Sequence, residues 1–399
     1  MPVMPGADPS CSDADRPGFT PPDPFTARAG GQALTFYPAG PARREALLAM
    51  IRQAQASVKL SFYIYEEDAI GTALRDALVD AAGRGVAVTL LLDSFGADAG
   101  EGFFAPLRAA GGRVRWFSPR WSHRYLIRNH QKIVIADDAC AMFGGFNIAD
   151  SYFAATGEDG WNDLAIGIEG DAVGGLVDWF ARLADWSELD DGTFRSIRRA
   201  VKSWDWSNGA ARWLVGGPTR GLSTWARQVG EDLLQAQKLD MLMAYFSPPP
   251  HLLRRIGRIA ARGETRLVMA GRSDNGATIG ASRSLYDYLL RKRARIWEFD
   301  ACRLHTKLIV LDDVVYVGSA NFDMRSLYLN LELMLQIRDA ALAERMREFV
   351  SLHIAGSQPI TPALHKSRAT LFNRVRWNLG WLLVSVVDYT VTRRLNLGL

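Results

Sequence analysis

Two histidines in this 399-residue chain stand two positions before a lysine: His130 with Lys132, and His305 with Lys307. In an extended chain, residues two apart project to one face. Each pair therefore sets an imidazole beside a fixed cation. That cation disfavours protonation of the ring unless an anion lies between them. A phosphodiester is such an anion. A neutral imidazole is a nucleophile and a protonated one a general acid, so the set suits displacement at phosphorus. The same residue types follow each pair: Asp137 and Asp312, Gly144-Gly145 and Gly318-Ser319, Asn147 and Asn321. Glycine lets backbone approach a ligand closely. Hydroxyl and amide groups can donate to phosphate oxygens.

A lone His-x-Lys on a strand is ordinarily surface decoration. Here it occurs twice at a constant offset, with 305 − 130, 307 − 132 and 312 − 137 all equal to 175. A period this long indicates two similar domains rather than a solenoid. The elements around the motifs repeat too. SVKLSFYIYEE (57–67) reads as a strand, GTALRDALVDAAGRG as a helix stopping at Gly85, and VAVTLLLDS as a buried strand. Later, KLDMLMAYFSPP (238–249), HLLRRIGRIAARG (251–263) and TRLVMAG (265–271) follow the same order, then SLYDYLLRKRA and the strand RIWEF. Strand–helix–strand alternation predicts an α/β fold of two lobes, each a mixed sheet flanked by helices. The expected organisation is a flexible leader over 1–30, lobes over 31–195 and 215–355, a connection over 196–214, and a basic amphipathic tail over 356–399.

The two segments resemble the paired H-x-K-x-x-x-x-D motifs of the phospholipase D superfamily, with the downstream G-[GS]-x-N. The resemblance covers most of 33–340. RNHQKIVI with GGFNI, HTKLIVLD with GSANFDMRS, and AYFSP (244–248) look most similar to bacterial cardiolipin synthases. Gly145 departs from the serine common at that position, and the second Asp-to-Gly interval is one residue shorter. The paired transmembrane helices that open some members are not seen. The resemblance implies one active site between the lobes and a ping-pong reaction through a phosphohistidine. His130 would be the nucleophile and His305 the acid and base. Lys132, Lys307, Asn147, Asn321, Ser319 and the Gly145 backbone would hold phosphate oxygens. The pattern implies no metal or other cofactor.

A carboxylate should set the tautomer of each imidazole. Asp137 and Asp312, though motif members counted with the catalytic set, lie at an odd offset from their histidines and would face away along a strand. They are expected to brace a turn. Asp163 in GWNDLAIGI and Glu332 in LNLELMLQI each open an apolar strand-like run, where the family places a His-orienting acid. The alternative is a strand-end surface carboxylate. His123, His251, His353 and His365 are expected to be surface or structural. Tyr63, Tyr65, Tyr245 and Phe246 could line a lipid pocket or pack the core.

Apolar residues at 48% and charged residues at 23% exclude a wholly disordered chain. Residues 1–30, rich in Pro, Asp and Gly, lack a secretory apolar stretch. Cys11, Cys140 and Cys302 have no metal-ligand spacing and suit a reducing compartment. The net charge of +4 is local in effect. Arg254, Arg255, Arg258 and Arg262 form one cluster, and Arg291, Lys292, Arg293 and Arg295 another. Each is a solvated face or an attraction to an anionic surface. In the tail, LGWLLVSVV is too short to span a bilayer. Its flanking arginines, with Trp377, Trp381 and Tyr389, suit an interfacial helix, or a helix packed on the fold. The family resemblance implies a phosphatidyltransferase acting on anionic phospholipids, and the tail an enzyme peripheral on the cytoplasmic side of a bacterial inner membrane. Its simplest reaction joins two phosphatidylglycerols into cardiolipin and glycerol. Hydrolysis to phosphatidic acid is the alternative. Nucleic acid is the less expected substrate, and a non-enzymatic scaffold the least.

Overall fold

The computed structural model describes residues 18–117, 127–188, 194–219, 222–273 and 275–387. Two mixed sheets dominate it. Across the first run Phe25–Ala29, Gln32–Tyr37, Ala165–Glu169, Cys140–Gly144, Ile133–Ala136, Ser57–Phe62, Ala87–Asp93 and Arg113–Phe117. Across the second run Trp206–Ser207, Ala211–Val215, Leu333–Arg338, Val314–Gly318, Lys307–Leu311, Lys238–Met243, Glu264–Ala270, Arg295–Phe299 and Ser357–Pro359. Six strands correspond one to one, from Ala165–Glu169 with Leu333–Arg338 to Arg113–Phe117 with Arg295–Phe299. Each motif opens a central hairpin. Ile133–Ala136 pairs antiparallel with Cys140–Gly144, and Lys307–Leu311 with Val314–Gly318.

Both faces of these hairpins are buried. Ile133 and Ile135 join Leu308 and Val310 in a core shared by the lobes, while Val134 and Ala136, and Ile309 and Leu311, face outer cores. This is period-two geometry in strands covered on both sides. The shared core also takes Trp179 and Phe349 from helices Ala172–Glu188 and Ala340–Ala355. Because one core serves both lobes, the cleft between the sheets is set by packing. The outer layers are helices such as Ala69–Gly83 and Pro250–Arg262. The latter buries Leu252, Ile256, Ile259 and Ala260 and turns Arg254, Arg258 and Arg262 to solvent.

The expected boundaries need correction. Phe25–Ala29, inside the expected leader, is an edge strand, and Phe25 stacks on Phe36 at 4.9 Å. The expected connection holds helix Phe194–Ser203 and two strands of the second sheet. Ser357–Pro359, inside the expected tail, pairs with Arg295–Phe299. These segments are short and half polar, so pairing partners decide them more than their own pattern does. Beyond them, helix Leu371–Trp381 lies along helix Gly276–Arg291, with Trp377 buried at the contact. Residues 388–399 of the tail, including Tyr389, fall outside the described residues.

Candidate active site

The segments ahead of the two hairpins cross between the lobes. The His130 amide donates to the Leu331 carbonyl at 2.9 Å, and the Leu331 amide to the Arg128 carbonyl at 2.8 Å. In the mirrored arrangement the His305 amide donates to the Asn162 carbonyl at 2.7 Å, and the Asn162 amide to the Arg303 carbonyl at 2.8 Å. The residue after Leu331 is Glu332, and the residue after Asn162 is Asp163. Each lobe thereby delivers its acid to the histidine of the other. His130 Nδ1 lies 3.1 Å from both Glu332 oxygens. His305 Nδ1 lies 2.7 Å from Asp163 Oδ2. A buried carboxylate only accepts, so Nδ1 carries the proton in each ring and Nε2 holds the lone pair.

The lysines sit with the rings. Lys132 Nζ donates to the His130 carbonyl at 2.7 Å, and Lys307 Nζ to the His305 carbonyl. Each ring also feels the charge of the other lobe's lysine. Burial pushes His130 down to about 4, with Lys132 and Lys307 adding to the push against Glu332. Burial and Lys307 likewise push His305 down to about 4, against Asp163. Burial lowers Lys132 to about 7. Burial opposes ionisation of Glu332 and Asp163, yet the facing histidines and lysines hold both below the usual carboxylate range. The site thus pairs neutral imidazoles with ionised acids beside two lysines. A phosphodiester placed there would favour protonation of a ring.

The remaining motif residues serve the acids and turns. Asp137 accepts amides of Gln55, Ala56 and Ser57, and Asp312 those of Gln237 and Lys238. Both brace left-handed turns, at φ 52° and 46°, and neither bonds a catalytic histidine. Ser319 donates to Glu332 at 2.6 Å and accepts the Leu333 amide, so its hydroxyl is committed to the acid instead of to phosphate. Gly145 fills the equivalent place, where a Cβ would meet Asp163 Oδ1 at 2.5 Å. A Cβ at Gly144 or Gly318 would meet the Leu164 or Leu333 carbonyl. Asn147 accepts the Ile64 amide at 3.2 Å and donates to the Tyr152 hydroxyl at 3.1 Å. Asn321 is buried, and its side-chain oxygen makes no hydrogen bond among the described residues.

Aromatic neighbours complete the site. Tyr63 faces His130 with ring centroids 5.0 Å apart, and Tyr152, Trp161 and Tyr245 surround His305 at 5.1, 5.2 and 6.4 Å. Tyr152 and Trp161 were not singled out from sequence, and their only signal was proximity to Asp163. Tyr65 and Phe246 are buried core residues. His353 is buried and bonds Asn162 Oδ1 at 3.1 Å, which supports the segment holding His305. His365 stacks on Trp377, and His251 is half-buried. His123 lies outside the described residues.

Two crossed histidine–acid pairs between duplicated sheets define a phosphodiester-transfer site of the phospholipase D type. The sequence matches the family described as "Cardiolipin synthase, PLD-like domain" over residues 47–172 and 231–352. The chain belongs to this family of phosphatidyltransferases. It is similar to cardiolipin synthase B of Salmonella typhimurium, 30% identical over 332 residues that cover 78% of this chain and 76% of that one. It is similar also to the major cardiolipin synthase ClsA of Bacillus subtilis, 31% identical over 314 residues, 75% of this chain and 64% of that one. Among solved structures, phosphatidylserine synthase of Haemophilus influenzae superposes with a TM-score of 0.73 at 14% identity, covering 95% of this chain and 97% of that one. A polyphosphate kinase of Porphyromonas gingivalis gives 0.57 at 15% identity, covering 84% and 49%. These two share the fold, and their names differ in chemistry, so the fold alone does not select a substrate.

Proposed function

We propose that this enzyme joins two phosphatidylglycerols into cardiolipin and glycerol through a phosphohistidine. The observation that carries the reading is the crossed pairing of His130 with Glu332 and His305 with Asp163 around two lysines. His130 Nε2 attacks phosphorus, and the P–O bond to the departing glycerol breaks as His305 gives that oxygen its proton. The hydroxyl of a second phosphatidylglycerol then returns a proton to His305 and attacks phosphorus, breaking the P–N bond. Lys132 and Lys307 offset charge on the non-bridging oxygens. The assignment of roles follows the family resemblance.

The enzyme would bind the cytoplasmic face of the membrane peripherally. Among the described residues no helix is long and apolar enough to cross a membrane. Helix Leu371–Trp381 turns Leu371, Phe372, Val375 and Leu379 to solvent beside Arg374 and Arg376, a pattern that suits an anionic lipid surface.

The test incubates purified protein with phosphatidylglycerol vesicles and follows products by mass spectrometry. Wild type is expected to release cardiolipin and glycerol, and folded His130→Ala and His305→Ala variants neither. Phosphatidic acid as the sole product would make the enzyme a hydrolase. Substantial turnover in either variant would overturn the shared site.

A further inference from the structure

The two half-sites differ in charge. Around His305 the neighbours are aromatic, and the nearby Arg303 is tied to Asp159 at 2.8 Å. Around His130 the Arg128 guanidinium makes no ion pair among the described residues, although Asp93 lies close enough to feel its charge. Arg128 Nη1 donates to the Tyr63 hydroxyl at 2.5 Å, and its carbon lies 3.3 Å from the centre of the exposed Phe95 ring. Arg128 Nε is buried and makes no hydrogen bond among the described residues, and no described carboxylate pairs with the group. Asp93, the neighbouring acid, is occupied by the amides of Phe95, Gly96 and Asn129. By contrast, half-buried Arg283 pairs with Glu298 and buried Arg347 with Asp240. A guanidinium with a buried, unmade donor is costly unless an anion arrives. Arg325, from the opposite lobe, adds positive charge at the same Tyr63 phenol.

The position of this charge matters. The Tyr63 ring lies 5.0 Å from the His130 ring and 5.4 Å from Lys132 Nζ. Arg128 is therefore one phenol ring away from the reacting phosphorus. Transfer between two lipids brings two phosphodiesters into the cleft. The first is on His130 beside the lysines. The second belongs to the incoming lipid and is tethered to its attacking hydroxyl by a short glycerol bridge. We infer that Arg128, with the Tyr63 hydroxyl and Arg325, holds the phosphodiester of the acceptor lipid, so that the enzyme selects anionic glycerol-bearing acceptors over neutral alcohols. This rests on the transferase reading above. Arginine suits the task because its fork can grip two phosphate oxygens at once.

The test sets two acceptors against each other with one donor. Full-length protein acts on phosphatidylglycerol vesicles containing isotope-labelled free glycerol. Cardiolipin reports transfer to a lipid acceptor, and labelled phosphatidylglycerol reports transfer to the neutral alcohol. For Arg128→Gln the ratio of cardiolipin to exchange is expected to fall about tenfold or more, with partial recovery in Arg128→Lys. Arg325→Gln should shift the ratio in the same direction and gives a second reading if Arg128→Gln does not fold. An equal loss of both products would assign Arg128 to the donor phosphate or to structure and overturn the inference, as would an unchanged ratio. Wild type that exchanges glycerol without forming cardiolipin would overturn the acceptor subsite but keep the transferase. Wild type that yields only phosphatidic acid would overturn both.

Discussion

Asp163 and Glu332 do the same work with side chains one methylene apart, and each lobe accommodates the difference at one neighbouring position. The longer Glu332 is held by the Ser319 hydroxyl, whereas Gly145 leaves room for the shorter Asp163. Gly145→Ser should therefore not restore a missing contact. Its Cβ would press on Asp163 Oδ1 and turn the acid from His305. We expect kcat to fall about tenfold or more, with Gly145→Ala close behind because the Cβ already causes the clash. A Gly145→Ser enzyme with wild-type kcat would show that the His305 acid tolerates displacement. Sequence offered the two acids as candidates, since each opens an apolar run and lies where the family resemblance places a His-orienting acid. It did not show which histidine each one serves, because that pairing depends on how the lobes dock. The likeness of Ser319 to a phosphate donor misled for a related reason. A hydroxyl beside a buried carboxylate bonds the carboxylate first.

The strands and helices around both motifs were legible because alternation and helical spacing repeat twice over. The short strands at the sheet edges were not, since Phe25–Ala29 and Trp206–Ser207 carry too few apolar residues to signal without partners. Asp137 and Asp312 were legible from parity alone, because an odd offset on a strand points away from the histidine. The last helix answers the choice between packing and a free face with both. Trp377 and Gly380 bury against Gly276–Arg291, while Leu371 and Phe372 are 81% and 75% exposed. Side chains so exposed on one turn contribute little to the fold, and a lipid contact is the role proposed for them. Replacing Leu371 and Phe372 together by Glu is expected to weaken sedimentation with anionic vesicles about tenfold or more while leaving Tm near wild type. Unchanged sedimentation would remove this helix from membrane binding.

For the molecule as a whole, burial sets the response to acid. His130, His305 and His353 are each driven from 6.5 down to about 4, mainly by desolvation. Below the unfolded value the unfolded chain takes up protons that the fold resists. The stability involved is intact above pH 6.5 and is lost as pH falls toward 4. Asp93 and Asp323, pushed up to about 6 by burial, work in the opposite sense over part of that window. His353 isolates the effect because it lies outside the reacting groups. His353→Gln should flatten the fall of Tm with acid, by up to about 3 kcal/mol of stability between neutral and pH about 4. An equally steep profile in the variant would mean that His353 is already charged in the fold. The crossed pairing has a different kind of consequence. Each half-site draws its histidine from one half of the gene and its acid from the other, so a single copy of either half holds no histidine–acid pair. A lesion that loosens one lobe disables both half-reactions together. Any change in the reach of one acid must be matched by the histidine of the opposite lobe, which ties the inheritance of the two copies together.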